Sequence, residues 1–371
     1  MSKRTNGEGT IYQRSDGLWR GELTLGYDAN GKRIKKVFHS KDLEKLQKKL
    51  NDEKYKLDRN IVTQSSDYTM AEWFQFWLEN YKAIELKSST YDRYEIAFNT
   101  HAKEIIGHIK LTKLRSEMIQ QIYIQMYNNN LSTSSIKQLH IALNQSFKQA
   151  IKNNYLHQNP CNALTIPKST PKSTRVLTVD EQEAFEQQCK LTTFGNLFVF
   201  GLNTGMRCGE LTALTWGDID FSEMLITVKR TASRVIDRDV NSNKKTKIVM
   251  STPKTIKGNR QIPINENAEK ILHFQKEKNV SSDFVFPSTT GTILMTRNIR
   301  RAFENTLDRA ELAHDITVHS LRHTFATRLL EKGANIKVVS ELLGHASIQI
   351  TLDIYSHVMP NLKKDTIRLL D

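Results

Sequence analysis

Cysteine is scarce in this chain: three in 371 residues, Cys161, Cys189 and Cys208, none of them in a Cys-x-x-Cys pair. That scatter argues against a disulfide framework or a structural zinc ribbon, and leaves buried thiols as the expected use of the three side chains. Long apolar runs are missing too. No stretch of about 18 uncharged apolar residues occurs, so no membrane span is expected, and the opening Met-Ser-Lys-Arg-Thr-Asn-Gly lacks the apolar core of a secretory signal. A cytoplasmic protein without a membrane partner is the expectation. Neither an internal repeat nor a low-complexity segment is seen. Acidic side chains are in deficit, 40 Asp and Glu against 54 Lys and Arg, for a formal charge of +14. An excess of that size points to a polyanionic partner, most often nucleic acid.

The excess is uneven. Residues 1–60 hold fifteen basic and nine acidic side chains, and residues 229–260 hold ten basic ones against Asp237 and Asp239. Both segments are candidates for phosphate contact. A chain of 371 residues exceeds one typical core, so two or three domains are expected. Residues 1–62 read as a small three-stranded antiparallel sheet, because Asp16-Gly17 and Asn30-Gly31 divide three alternating runs. A helix follows, with Ser40 as its N-cap and Leu43, Leu46 and Leu50 as its apolar stripe. Arg14, Arg20, Lys35 and Lys36, beside Trp19 and Tyr12, are expected on the exposed face of a sheet narrow enough to enter a major groove.

Residues 67–165 read as all-helical. Thr69-Met-Ala-Glu72 is a capping box ahead of the stripe Met70, Trp73, Phe74, Trp77 and Tyr81, and a later helix runs through Ile136, Leu139, Leu143, Phe147 and Ile151. "LKSSTYDRY" and "STSSIKQ" put hydroxyls and lysines at helix starts. There Lys87, Thr90 and Lys137 are candidates to hold DNA phosphates, and plain N-capping is the alternative for the hydroxyls. The proline-bearing stretch "NPCNALTIPKSTPKSTRVLT" is expected to link this piece to a third, residues 175–371, which opens on a second capping box, Thr178-Val-Asp-Glu181.

In the third piece His319 and His323 lie four apart, as zinc ligands do on one helix face. A zinc hydrolase of the His-Glu-x-x-His type needs a glutamate after the first histidine, and here the pentad is His319-Ser-Leu-Arg322-His323. The fixed charge of Arg322 opposes a dication, so no metal is expected. A His-x-x-Arg pair on one turn suits a phosphate instead, since arginine offers a planar fork to two non-bridging oxygens. Tyr355, ten residues beyond His345, stands at the end of a short helix that follows a helix closed by Gly344.

Four segments together, "TGMRCGEL" (204–211), "STPKTIKGNRQIPI" (251–264), "HSLRHTFATRLL" (319–330) and "LGHASIQITLDIYSHV" (343–358), resemble the signature segments of the tyrosine recombinases, the phage-integrase family. The helical piece resembles that family's core-binding domain, and the first piece resembles the arm-binding domain of integrases from temperate phages and conjugative transposons. The resemblance implies a multidomain α+β fold: a three-stranded sheet plus helix, an all-helical core-binding domain, and a mainly helical catalytic domain with a small antiparallel sheet.

It further implies that Arg207 and Arg322 clamp the scissile phosphate and that Tyr355 is the nucleophile. Lys254, on a β-hairpin, is the general acid, with Lys257 its local rival. His319 and His345 complete the pocket, Glu210 orients neighbouring groups, and Arg260 joins the DNA-binding set. His314, His323 and His357 fit structural roles. No cofactor is implied. The implied partners are double-stranded DNA at core-type and arm-type sites and a homotetramer on that DNA, with an excision factor and a host DNA-bending protein as further candidates. The implied activity is integration and excision of a mobile element through a 3′-phosphotyrosine and a Holliday junction. A type IB topoisomerase and a non-catalytic DNA-binding regulator are the alternatives.

Overall fold

The computed structural model describes residues 9–27, 32–58, 68–168, 175–252, 258–278 and 281–355, with the backbone alone for 25–27, 55–58 and 353–355. Contacts divide the chain into two units, Met1–Thr170 and Pro171–Asp371. Helices dominate, and small antiparallel sheets accompany them, so the class is α+β as expected.

The first unit opens with strands β1 (Thr10–Gln13), β2 (Trp19–Tyr27) and β3 (Arg33–Ser40), antiparallel in the order β1-β2-β3. Helix α1 (Leu43–Asp58) contributes Leu46 and Leu50 to a small core with Leu23, against which Ile11, Trp19 and Phe38 pack. Its start differs from expectation. Ser40 accepts from the Asp42 amide, while Asp42 Oδ1 accepts from the amides of Glu44 and Lys45, so Asp42 holds the first turn.

The basic set also divides. Successive strand residues point to opposite faces, so the neighbours Trp19 and Arg20, or Lys35 and Lys36, cannot share one. Trp19, Gly21 and Leu23 pair with Ser40, Phe38 and Lys36 on the face that carries the core, and Lys36 reaches Glu53 of α1. On the other face Arg20 and Lys35 both contact Glu22, and the Arg20 guanidinium lies 6.0 Å from the Tyr12 ring centre. Trp19 and Lys36 therefore leave the expected open-face set, and Arg14 sits in the β1–β2 turn beside Asp16.

The rest of this unit is helical: α2 (Met70–Trp77), α3 (Ser88–His101), α4 (Lys103–Ile106), α5 (Ser116–Asn128) and α6 (Thr133–Lys152), with a π-helical turn at Leu78–Lys82. Both halves of the Thr69–Glu72 capping box form. Trp73, Phe74 and Trp77 are buried, Phe74 stacks on Phe98 at 4.0 Å, and the Trp73 indole donates to the Ser146 carbonyl. Lys87, the N-cap residue of α3, and Lys137, in the second turn of α6, are exposed, and Thr90 is half-buried. Ser132 is a plain N-cap of α6, whereas no side chain caps α3. The expected linker begins inside this core: Pro160 and Cys161 are buried, and Leu164 and Ile166 pack against the helices.

The second unit comprises α7 (Val179–Cys189), α8 (Gly195–Thr204), α9 (Cys208–Ala213), β4 (Ile219–Asp220), β5 (Leu225–Val228), β6 (Thr231–Ile236), β7 (Thr246–Ser251), β8 (Arg260–Pro263), α10 (Glu266–Glu277), α11 (Thr296–Arg309), α12 (Val318–Glu331), α13 (Ile336–Leu343) and α14 (Ile348–Tyr355). Phe185, Phe198 and Phe303 meet at the centre of its core. The expected hairpin over 251–264 takes another form: β7 pairs with β6, while β8 pairs with β5, so the strands flanking Lys254 belong to different sheets. Cys161 and Cys189 are buried as expected, and Cys208 is partly exposed.

Helices α8 and α12 meet at Gly205, whose φ of 61° closes α8 in the left-handed region. A Cβ there would stand 2.4 Å from Phe325 Cδ1 of α12. Gly17 also has positive φ, but a Cβ there would meet nothing within 4 Å. Gly17→Ala should therefore lower unfolding free energy by about 1 kcal/mol through backbone strain, and Gly205→Ala by about 2–4 kcal/mol through strain plus clash, as read by denaturant titration.

Candidate active site

The left-handed turn at Gly205 delivers the chain to Arg207, which is extended (φ −72°, ψ 151°) and caps α9. Glu210, three residues into that helix, accepts the Arg207 amide at 2.9 Å and the Arg207 Nη1 at 2.8 Å. The backbone half of this is a capping box, in which an N3 carboxylate satisfies the N-cap amide. Glu210 is only 3% exposed. Its other partner is Arg260 of β8, whose Nη2 and Nη1 reach Oε2 and Oε1 at 2.9 and 3.2 Å in a bidentate fork. Burial alone would raise the Glu210 carboxyl, but the bond and charge of Arg260, joined by Arg207, hold it below the usual carboxylate range.

Helix α13 ends on Gly344, left-handed at φ 64°. Its last carbonyls have no intrahelical partners and carry the negative end of the helix dipole. Three successive carbonyls here each receive a different arginine: Arg260 Nε donates to Leu342 O at 2.6 Å, Arg322 Nη2 to Leu343 O at 2.5 Å, and Arg207 Nη2 to Gly344 O at 3.2 Å. Arg322, from α12, also donates through Nη1 to Gly205 O at 2.8 Å, where α8 ends. Two glycine-capped helix ends thus fix the plane of a guanidinium that is 2% exposed, while the Arg207 side chain stays 38% exposed.

Three histidines surround this group. His345 follows Gly344 directly; its ring is buried, and its Nδ1 lies 2.8 Å from the Thr351 hydroxyl of α14. Burial and then the charges of Arg322 and Arg207 push its pKa down to about 4. Burial, with His319 and Arg322 adding, brings His323 to about 4 as well. His319 keeps an exposed edge, yet its packed surroundings, Arg322 and Arg207 lower its pKa, with Glu210 opposing. The His319 and His323 rings meet edge to face at 4.6 Å. At neutral pH His323 and His345 are therefore uncharged and His319 is shifted in the same direction, and the three arginines and one carboxylate of the described site carry a formal +2. Such a pocket favours an anion with several oxygens.

Arg207, Glu210, His319, Arg322 and His345 are thus brought together, from segments up to 138 residues apart. Arg260 needs correction. Expected on the DNA surface, it is 9% exposed, and its fork is directed at Glu210 and Leu342 rather than outward. The pair spans fifty residues of sequence and has no local signature. Lys254, with its rival Lys257, lies outside the described residues, as does His357. Tyr355 ends α14, one helical turn beyond Thr351, with its side chain outside the description. His314 bonds Asp308. The basic run 229–260 is partly compensated: Arg230 and Lys229 reach Asp218, and Lys247 reaches Asp237. Thr351 carries no motif of its own; its signal is a buried hydroxyl one turn before a tyrosine on the same helix face.

The model of the phage integrase family matches residues 175–361, and that of the phage integrase N-terminal SAM-like domain matches 69–125. A tyrosine recombinase XerC-like protein of Caldanaerobacter subterraneus subsp. tengcongensis is 30% identical over 100% of this chain and 99% of its own length. The ICEBs1 integrase of Bacillus subtilis is 23% identical over 98% and 99%. Among solved structures, the Tn1549 transposon integrase in complex with a circular intermediate DNA superimposes with a TM-score of 0.68 at 21% identity, covering 81% of this chain and 99% of that one. A lambda integrase tetramer bound to a Holliday junction gives 0.61 at 18% identity, covering 95% and 96%. Among the described residues no helix is long and apolar enough to cross a membrane. With the family model spanning the unit that holds the arginine cluster, and a 30% identical relative matching from end to end, this chain belongs to the phage integrase family and is a tyrosine recombinase.

Proposed function

We propose that this chain is an integrase that inserts and excises a mobile element by cutting and rejoining DNA strands through a 3′-phosphotyrosine. The observation that carries this reading is the arginine cluster at the end of α13, followed immediately by the short helix that ends on Tyr355. In this reading Arg207 and Arg322 take the two non-bridging oxygens of the scissile phosphate. Their carbonyl anchors fix the forks before substrate arrives, so little reorganisation is needed as charge grows on those oxygens. Fixed cations then supply the electrostatic stabilisation that metal ions supply in many other phosphoryl transferases.

Tyr355 Oη attacks phosphorus, a Tyr–O–P bond forms on the 3′ side, and the bond to the 5′ oxygen breaks. The phenol proton needs an acceptor, and neutral His319 is the candidate base. The departing 5′ oxygen needs a proton, a role the family resemblance gives to Lys254. The phosphotyrosine keeps the energy of the broken phosphodiester bond, so a 5′ hydroxyl of a second duplex reverses the step onto a new partner without ATP. Exchange on two duplexes passes through a Holliday junction and calls for four protomers, an arrangement for which the lambda integrase neighbour, a tetramer on such a junction, is a precedent. Arg260 and Glu210 act one step removed, by holding Arg207.

For the other pieces, we assign residues 67–165 with 175–371 to core-type sites and residues 1–62 to arm-type sites. On the sheet, Arg20, Lys35 and Tyr12 share the open face, and Arg14 lies at its edge. Lys87, Thr90 and Lys137 serve the helical piece. An excision factor and a host DNA-bending protein are candidate partners of the assembled complex.

On nicked DNA carrying the ends of the element, the unsubstituted chain should form a covalent adduct stable to denaturing electrophoresis. Tyr355→Phe should bind the same DNA and form none; an adduct of undiminished yield would rule out Tyr355 as the nucleophile. Arg260→Met should lower unfolding free energy by about 3 kcal/mol, because Glu210 keeps its charge and loses its fork, and should leave the salt slope of DNA binding unchanged. A slope smaller by about one would return Arg260 to the phosphate-contacting set. The histidines predict a pH dependence of stability. His323 and His345 have folded pKa values near 4, below the ordinary histidine value of 6.5, so the unfolded chain binds their protons more readily. Stability is full above pH 6.5, falls as pH drops from there, and the loss is complete below about 4. Thermal midpoints across that range should show the decline, and His345→Asn should flatten it.

A further inference from the structure

Four of the six buried threonines in the helices of this unit follow a habit, bonding a carbonyl of their own helix; Thr212 reaches Gly209 O at 3.2 Å, and Thr327 has no hydrogen-bond partner among the described residues. Thr204, Thr306 and Thr324 each donate their hydroxyl to the carbonyl four residues back, Phe200, Ala302 and Ser320, at 2.7, 2.8 and 2.9 Å. Thr351 departs from it. Fully buried in α14, it turns its hydroxyl to the Nδ1 of His345 at 2.8 Å, its one side-chain hydrogen bond among the described residues. A hydroxyl has a single proton. If the ring donated to Thr351, that proton would lie buried without an acceptor, a costly arrangement; if Thr351 donates, both groups are satisfied.

We propose that Thr351 is a positioning residue for His345: it donates to Nδ1, which places the ring's own proton on Nε2 and makes that nitrogen a hydrogen-bond donor to the scissile phosphate. This rests on the reading of His345 as a phosphate-facing group. The tautomer matters because the ring is neutral. A protonated imidazole donates from both nitrogens whatever its neighbours, but a neutral one offers either a donor or a lone pair, and a lone pair repels a phosphate oxygen. Thr351 is also one turn before Tyr355. The same hydroxyl therefore ties the helix that carries the tyrosine to the ring beside the arginines, so that seating that helix and preparing the donor are one event. A ring whose partner has moved away loses its preference for Nε2–H.

Two substitutions separate the hydroxyl from the packing. Thr351→Val keeps the shape and removes the donor, and Thr351→Ser keeps the donor. Long-range 1H–15N spectra of the full chain labelled in histidine, with His345 assigned through His345→Ala, should show the Nε2–H form for the unsubstituted chain and for Thr351→Ser. Thr351→Val should admit the Nδ1–H form. On nicked end DNA, Thr351→Val should slow adduct formation about tenfold with binding unchanged, while Thr351→Ser stays within about threefold. In a His345→Ala background Thr351→Val should cost nothing further, since a residue acting through another is silent without it.

An Nδ1–H ring in the unsubstituted chain, or an equal loss in both backgrounds, overturns the proposal. If Thr351→Val does not fold, the tautomer of the unsubstituted chain decides. If the unsubstituted chain forms no adduct, the integrase reading fails, and the spectra still decide the role of Thr351.

Discussion

Three neighbouring carbonyls at the end of α13, each taking a bond from a different arginine, tie the second unit together. The arginines come from β8, α12 and the start of α9, so a single helix terminus gathers three distant parts of the chain. The attraction is of a simple kind: unpaired carbonyl groups and a helix dipole draw cations without adding a formal negative charge. A cluster neutralised by three carboxylates would be as well anchored and would repel a phosphate. Among the described residues one carboxylate, Glu210, is present, and it satisfies the Arg207 amide and the Arg260 fork together.

The two glycines at this centre do related work. Gly205 and Gly344 let α8 and α13 stop in the left-handed conformation, which leaves their terminal carbonyls pointing at Arg322. Gly205 in addition admits Phe325 of α12 where a side chain would block it. Motif residues that look unrelated, "TG" ahead of Arg207 and "LG" ahead of His345, are thus the same device used twice. The arginine in the middle is common to both.

Local chemistry was the legible part. Thr69–Glu72 and Thr178–Glu181 read as capping boxes because all their partners lie within four residues, and the Leu46 and Leu50 stripe needed only helical periodicity. Charge was read less well where it depended on facing. Lys35 and Lys36 look alike in sequence, but strand parity sends one to the open face and the other to Glu53. Arg260 sat in a basic run and looked like a phosphate contact, and its true partner, Glu210, is fifty residues away. The hairpin expected around Lys254 failed for the same reason: strand partners are settled by tertiary packing, which joined β8 to β5 instead of β7. Arg207, Arg322, His345 and Tyr355 were picked out by the joint order of four short motifs, whereas no local feature marked Thr351.

The formal +2 left on the described side chains bears on selectivity between states of one substrate. A phosphodiester in a DNA strand carries one negative charge, and the five-coordinate phosphorus species formed by attack of a phenolate carries two. The cations around the site, joined in the proposed reaction by Lys254, suit the second better than the first, so on that reading intact DNA is held less tightly than the reacting form. That difference is what lowers a barrier. Were Glu210 joined by a second buried acid, the balance would tip toward the resting strand, and the same arginines would bind DNA while doing less to cut it.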